Sequence, residues 1–490
     1  MDLRHVIVRH APAPDGADAG PLEQAFAALR EQLGLRLDYP AQAQAEAEQA
    51  ARDVVLPDRD ETAVPFCTID PVGSMDLDQA MCLERADGGY RVRYAIADVP
   101  AYVAPCGALD AETRRRGQTI YLPDARVPLH PQVLSEGAAS LLPGQVRPAF
   151  VWDIALSGSG EITAAQVYRA QVKSVARLDY PSVQQQLDEG SASDGLKLLQ
   201  EIGELRIELE AKRGGANLPM PEQEVDKGDD DHYHLTFRPQ LPAEEWNSQI
   251  SLLTGMAAAD LMLTAHVGIL RTMPAPDQRA LDRFCRQAHA LGVDWPAGYT
   301  YGDVIRGLDR SNPRHLALIH HATSLFRGAG YTPFVGADPE VKVQAAVAAP
   351  YAHVTAPLRR LVDRFGLVVC EAVSQGGEVP GWVREALPAL PDIMRRTDQL
   401  ASQVDHACTD TVEAALLAHR VGETFPAYVV DRVDRGLSIQ LVDLAVTARA
   451  AGDAEAGSEV QVRLIEADIA SHTVRFELAT GGMSRPTKAR

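Results

Sequence analysis

The chain has 490 residues, of which 46% are hydrophobic and 23% charged, so it belongs with ordinary globular proteins of several domains and not with disordered or fibrous chains. A formal net charge of −20 excludes a protein that coats nucleic acid over its whole surface, because phosphate contacts need Lys and Arg; any such contact must sit where positive charge is concentrated. The six cysteines form no CxxC pair, which argues against a cysteine zinc site and a disulfide framework and fits a reducing cytoplasm.

Residues 1–19 are rich in Pro, Gly, Ala and Asp and read as flexible. "PLEQAFAALREQLGL" and "AQAQAEAEQAARDV" follow as two helices joined by "RLDYP", a spacing compatible with a small helical pair, though too generic to assign a helix-turn-helix. The opening segment lacks the basic, long-apolar, small-residue order of a secretory leader. After the polar stretch "LPDRDETAVP", "VPFCTID" reads as a strand and "AMCLERADGGYRVRYAIADV" as a hairpin turning at Asp87-Gly88-Gly89. Strand and loop character continues through "TIYLPDARVPLHPQ" and "RPAFVWDIALSGSGEITAAQVYRAQVKS". From about residue 181 the period becomes helical, interrupted by the hairpin-like "QEVDKGDDDHYHLTF". "QISLLTGMAAADLMLTAHVGILR" is broken by Asp260 and His266 and reads as a buried core helix, not a membrane span. Alternation returns over residues 421–480, which predicts a small β-barrel, and 481–490 read as a disordered tail. Strands first and helices later make the class α+β.

The densest chemistry lies in "TIDPVGSMDLDQA". Asp70 closes a β-prone run, Pro71 and Gly73 turn the chain, and Asp76 and Asp78, two apart, project to one side with Leu77 facing the core. Three carboxylates can converge there. They would raise one another's pKa, and a hard divalent cation, Mg²⁺ or Mn²⁺, would relieve the repulsion. An isolated DxD is more often a polar turn, and the spacing lacks the Gly and terminal Glu of an EF-hand, so the cluster alone does not decide.

The company it keeps carries more. "TIDPVGSMDLDQA", "YAIADVPAYV", "RRRGQTIYLPDARVPLHPQVLSEGAASLLPGQVRPAF" and "YAHVTAPLRRLVDR" occur in that order. Together they resemble the catalytic (RNB) domain of the ribonuclease II / ribonuclease R family over residues 58–420. Residues 421–480 resemble the S1-type OB-fold RNA-binding domain that follows it in that family. The resemblance implies a mixed sheet-and-helix catalytic domain, and a monomeric, cytoplasmic, processive 3′→5′ exoribonuclease that hydrolyses single-stranded RNA to 5′-nucleoside monophosphates, with no membrane association and no obligatory protein partner. It implies that Asp70, Asp76 and Asp78 surround Mg²⁺ or Mn²⁺, with Gln79 at a fourth ligand position and Asp78 closest to the chemistry. Tyr121 matches a base-stacking tyrosine. Arg359 matches an arginine gripping phosphate at the scissile bond, and Arg360 and Asp363 are weaker candidates in the same motif.

Three departures follow. Gln79 stands where the family has a second aspartate, which predicts one ion held less strongly or a preference for Mn²⁺. Ser251 and Leu252 stand where paired glutamates are usual. Residues 1–57, read as helical, stand where cold-shock barrels are usual, so RNA would be guided by the terminal barrel and these helices. Two further readings stay open: an RNA-binding protein on the same scaffold with weakened or lost catalysis, and a different metal-dependent phosphodiesterase. Arg114–Arg116, Arg359–Arg360 and Arg395–Arg396 are the basic clusters that could meet RNA, although each singly reads as a solvated helix face. The Asp229–Asp231/His232/His234 group and the His320–His321 pair read as structural, and His353 as a neighbour of the site and not a ligand.

Overall fold

The computed structural model describes residues 6–9, 20–86, 88–216, 218, 222–227, 233–238, 240–309, 312–433, 436–442, 444 and 446–479. Asp229–Asp231, His232 and the tail 481–490 lie outside them.

Two closed five-stranded barrels organise the chain. The first is built from β1 (Phe66–Asp70), β2 (Gln79–Ala86), β3 (Gly89–Ala97), β4 (Val146–Ser157) and β5 (Ile162–Asp179). It runs as an antiparallel meander closed by parallel pairing of β1 with β5. Its central strands are largely buried on both faces. Along β3, Tyr94 and Ile96 enter one hydrophobic cluster while Ala95 and Ala97 enter another. Successive strand residues point to opposite sides, so two covered faces require a near-continuous apolar run, which "YAIA" supplies.

The helices are α1 (Pro21–Gln32), α2 (Ala41–Asp53), α3 (Ala108–Arg116), α4 (Asp194–Arg213), α5 (Pro242–Thr264), α6 (Gln278–Ala290), α7 (Leu361–Ser374) and α8 (Leu390–Leu417); α2, α3, α4, α5, α7 and α8 enter the clusters that cover this barrel, whereas α1 enters that of the second barrel and α6 a separate one. The run expected as a core helix is α5, with Ile250, Leu253, Ala258 and Met262 almost fully buried. Among the described residues no helix is long and apolar enough to cross a membrane. α5 comes unusually close to the segment that follows it in space. A Cβ at Gly255 would lie 2.1 Å from the Tyr351 ring and 2.7 Å from the Ala352 carbonyl oxygen, so only glycine permits the approach, which the Ala352 N–H seals by donating to the Gly255 carbonyl at 3.0 Å.

The second barrel comprises β6 (Thr424–Val433), β7 (Gly436–Leu441), β8 (Thr447–Ala451), β9 (Glu459–Asp468) and β10 (Thr473–Leu478). Its order, β6-β7-β8-β10-β9 with β8–β10 parallel, is the Greek-key closure of an OB-fold. The barrel expected over 421–480 is therefore present.

Two expectations at the amino end change. Val6–Arg9, expected to be flexible, is a strand that pairs in parallel with Glu222–Lys227, which in turn pairs antiparallel with Tyr233–Arg238. α1 and α2 do not form a pair, because their apolar faces enter different clusters. Leu22, Phe26 and Leu29 pack with Val404, Cys408 and Val412 of α8 and with Ile120, Leu122 and Val127; Ala43 and Ala47 pack near Leu109 of α3. The alanine-rich face of α2 is too small to build a core with α1 and instead lets neighbouring backbone come close. Glu46 of α2 accepts hydrogen bonds from the Ala108 and Leu109 N–H groups at 3.0 and 2.8 Å, satisfying the amino end of α3.

Candidate active site

The three acids sit where the first barrel is thinnest. β1 and β2 share a single register pair, Cys67 with Met81, because the chain leaves the wall after Asp70 and re-enters it at Gln79. Leu77 anchors the excursion. It is fully buried, its N–H donates to Ser140 Oγ at 3.0 Å, and its carbonyl accepts from Leu141 N–H at 3.0 Å. Asp78 is thereby turned inward, 6% exposed, and its Oδ1 accepts the Leu358 N–H at 2.7 Å.

Burial pushes the Asp78 carboxyl well above the usual carboxylate range, against the opposing pull of the Leu358 N–H and Arg359. Asp70 is pushed up to about 7, by burial first and then by Asp76, with Arg359 and Arg177 opposing. Asp76 faces Arg126 at 3.0 Å, and Arg126 also pairs with Glu136. Among the described residues no three His, Cys, Asp or Glu side chains are already gathered as a metal-holding group. The donor chemistry nevertheless fits a hard divalent ion. Asp70 and Asp78 are carboxyls that a cation beside them would return to the charged form, and oxygen donors suit Mg²⁺ or Mn²⁺. Asp76 shares its Oδ1 with Arg126, so that oxygen reaches such an ion only by leaving the arginine.

Gln79 has a different setting. Its Nε2 donates to the Thr355 carbonyl at 2.7 Å, and its Oε1 accepts from the Tyr94 hydroxyl and lies 3.4 Å from Ser251 Oγ. The Tyr94 and Ser251 hydroxyls also lie 3.0 Å apart; each has one hydrogen, so with Tyr94 donating to Gln79, Ser251 donates either to the amide oxygen or to Tyr94. The amide oxygen is held by protein through Tyr94. Two departures read separately in the sequence, at 79 and at 251, thus meet in one neutral network. Tyr94 was missed by sequence reading, yet the hairpin pairing of Gln79 with Ile96 makes it the diagonal neighbour two residues away, within reach of a long side chain.

The segment 355–364 is fixed from several sides. Arg360 makes two bonds of 2.8 Å to Asp363, which is fully buried and also accepts the Ala356 N–H at 2.7 Å. His130 Nε2 bonds the Pro357 carbonyl at 3.1 Å, and the Thr119 N–H donates to the Arg359 carbonyl at 2.9 Å. Arg360 therefore braces the turn, while the Arg359 charge acts on both Asp70 and Asp78.

A cleft of about 670 Å³ is lined among others by Gln79, Tyr121, Tyr351, His353, Arg359 and Arg360; Asp70, Asp76 and Asp78 are not among its lining residues. Tyr121, 38% exposed, lies on a two-residue ribbon in register with Arg126, so one ribbon carries both the ring and the partner of Asp76. α1 holds that ribbon through its apolar contacts and through Arg30, which pairs with Asp124 at 2.6 Å. His353 bonds Tyr331 at 2.8 Å and stands edge-on to Tyr331 and Tyr351. Burial, then Arg360 and Arg271, hold its imidazole well below the usual histidine range, so it is neutral.

The basic clusters picked from sequence are mostly engaged internally. Arg114 pairs with Asp110, Arg115 and Arg116 pair with Glu112, Arg395 pairs with Asp392, and Arg396 donates to the Arg114 and Arg115 carbonyls.

A family model described as RNB domain matches residues 58–370, and one described as RNase II-type exonuclease C-terminal S1 domain matches 423–479. The chain belongs to the RNB family. Ribonuclease R of Escherichia coli (strain K12) is 27% identical to this RNB chain over 412 residues, covering 78% of the chain and 50% of the relative. Exoribonuclease 2 of Vibrio vulnificus (strain YJ016) is 30% identical over 231 residues, covering 45% of the chain and 35% of the relative. The chain spans about half the length of ribonuclease R. In fold it resembles Mycoplasma genitalium RNase R in complex with ribose methylated single-stranded RNA, with a TM-score of 0.81 and 18% identity over 97% of this chain and 85% of that one. The same protein in complex with double-stranded RNA gives 0.78 and 19% over 97% and 92%. Yeast Ssd1, described as a pseudonuclease, gives 0.63 and 17% over 84% and 54%.

Proposed function

We propose that this chain is a divalent-metal-dependent 3′→5′ exoribonuclease that hydrolyses single-stranded RNA to 5′-nucleoside monophosphates, working as a cytoplasmic monomer with a catalytic unit over 58–420 and an RNA-binding barrel over 421–480. The observation that carries the reading is the lock between the two motif segments. The Leu358 N–H holds the Asp78 carboxylate, and the next residue, Arg359, acts by its charge on Asp70 and Asp78 and lines the cleft that also presents Tyr121.

In this reading Asp70, Asp76 and Asp78 hold the ion. When bound, Mg²⁺ or Mn²⁺ supplies charge stabilisation and an acidified water. Arg359 clamps the scissile phosphate with a planar donor that stays charged at any working pH. Tyr121 stacks on a base near the 3′ end, a contact that tolerates every base. Asp78, held by a backbone N–H on its Oδ1, keeps one orientation during turnover. Gln79 is the weakest of the four ligand positions, since its amide oxygen already accepts from Tyr94.

Incubation of a 5′-labelled single-stranded RNA with Mg²⁺ or Mn²⁺ should give stepwise shortening from the 3′ end, and Asp78→Asn should bind the RNA without shortening it. A second reading, an RNA-binding protein with weakened or lost catalysis, is favoured by the neutral Gln79–Tyr94–Ser251 network. Binding without shortening by the unaltered chain under either ion decides for it.

A further inference from the structure

A second cavity, of about 860 Å³, lies between α6 and the terminal barrel. Its wall carries Arg283, Arg286 and Gln287 from α6, Asp431 and Arg432 from β6, and Arg449 from β8. Arg283 and Arg286 are one turn apart on the exposed face of α6, whose opposite face buries Phe284 and Ala288. Arg432 pairs with Asp453. Arg283, Arg286 and Arg449 are exposed and have no carboxylate partner among the described residues. That is unusual in a chain of net charge −20, where most basic clusters legible in the sequence are closed by acids. The only acid on the wall among the described residues, Asp431, is held by the Arg432 N–H at 2.8 Å and loosely by Gln287 Nε2 at 3.5 Å.

We propose that this cavity is a phosphate-backbone site for RNA lying outside the catalytic cleft. It rests on RNA being the ligand of the chain. Three guanidiniums converging from two elements suit repeated phosphates, which each planar fork can grip with two donors. Gln287 on the same wall is 6% exposed, and its Oε1 is buried with no hydrogen-bond partner among the described residues, so it accepts a donor only once the amide turns toward the cavity. A ribose backbone presents a donor, the 2′-hydroxyl, next to each phosphate, so arginines plus a buried acceptor match RNA better than a purely anionic partner. The cavity is also joined to the cleft by one packed layer. Phe284 of α6 and Tyr428 of β6 belong to the same cluster as Phe326, which lines the cleft. A strand gripped at the cavity is thereby held at a fixed distance from the site.

The test uses the full chain in a chelator, which stops hydrolysis, with 5′-fluorescein oligouridylates. One probe fills only the cleft; the other is longer by about 16 nucleotides, the upper site size of an OB-fold. The variant is Arg283→Gln/Arg286→Gln/Arg449→Gln, three exposed side chains whose removal leaves the core intact. The long probe should bind roughly tenfold more weakly, and the slope of its log affinity against log salt should become shallower by about 2, at about 0.7 for each phosphate that is no longer neutralised. The short probe should bind unchanged. Equal affinity and equal slope for the long probe overturn the proposal while leaving the cleft reading intact. Binding of neither probe by the unaltered chain overturns both. Displacement of the long probe by oligoglutamate as effectively as by unlabelled oligouridylate overturns the assignment to RNA.

Discussion

The two five-stranded barrels differ in how they are covered, and that difference separates the part that holds chemistry from the part that presents surface. In the first, β3 and β4 are largely buried, and the polar groups buried among the helices that cover it are tied in pairs, such as Arg364 with Asp110 and Arg360 with Asp363. In the second, β9 alternates, with Val462 and Leu464 inside and Gln461 and Arg463 outside, and its charged pairs face water. A carboxylate in the first setting is desolvated and its neighbours decide its state. In the second it is screened and nearly indifferent to them.

The strongest way to break this contrast is to open a buried pair. Arg364 is fully buried, bonds Asp110 at 2.5 Å and the Val103 carbonyl at 2.8 Å, and joins α7 to α3. Arg364→Met leaves Asp110, 2% exposed, with Arg114 and the Cys106 N–H. Unfolding in urea should show a loss of about 3–5 kcal/mol, the usual cost of leaving one partner of a buried pair behind. A loss under about 1 kcal/mol would mean that the helical layer over the first barrel is no drier than the surface of the second.

A second test uses pH. His130 is 1% exposed and bonds the Pro357 carbonyl, and burial, then the Arg364 and Arg116 charges, push its imidazole down to about 3. The folded-state value lies below the unfolded one, so the contribution is complete above about 6.5 and is lost as pH falls toward 3. Between pH 6.5 and 5 the unfolded chain takes a proton that the folded chain refuses, which costs about 2 kcal/mol. His130→Gln should lower stability at pH 7 but flatten its fall from pH 7 to 5 by about that amount, read from urea midpoints at each pH. An unchanged slope would show that His130 is not buried neutral.

A third test concerns the mouth of the first barrel. Gln79→Asp restores a carboxylate and removes the donor to the Thr355 carbonyl. Mn²⁺ titration followed by paramagnetic resonance should show half-saturation at about tenfold lower concentration, because added ligand charge tightens a hard-ion site. Thermal stability should fall, because the Thr355 carbonyl loses its partner and a charge is placed beside Tyr94. Identical half-saturation would show that position 79 does not face the ion.

Much of this was open to sequence reading. The β1 strand, the 79–97 hairpin, α5 and the terminal barrel follow from period and turn residues, and the order of the motifs is what led to proposing Asp70, Asp78, Tyr121 and Arg359 as parts of one site. What escaped was long-range pairing. Asp110 and Glu112 close all three arginines of "TRRRGQ" at helical spacing and were open to reading, but nothing local says that Arg126 reaches back to Asp76. Conversely Arg283, Arg286 and Arg449 form no run in the sequence and meet only because the terminal barrel docks beside α6. The helices α1 and α2 were legible as helices, but their separate roles, bracing the Tyr121 ribbon and ending α3, depend on partners far along the chain.

The smallest expected effect lies on the terminal barrel and completes the contrast. Arg463 pairs with Glu477 across β9 and β10, with both side chains more than a third exposed. Ordering two long side chains offsets most of the attraction between charges that water already screens. Arg463→Ala should therefore change unfolding stability by less than about 1 kcal/mol, and raising the salt concentration should erase what difference there is. A loss comparable to that of Arg364→Met would mean that the alternating face of β9 is covered in solution, and the division between a desolvated barrel and a wet one would fall.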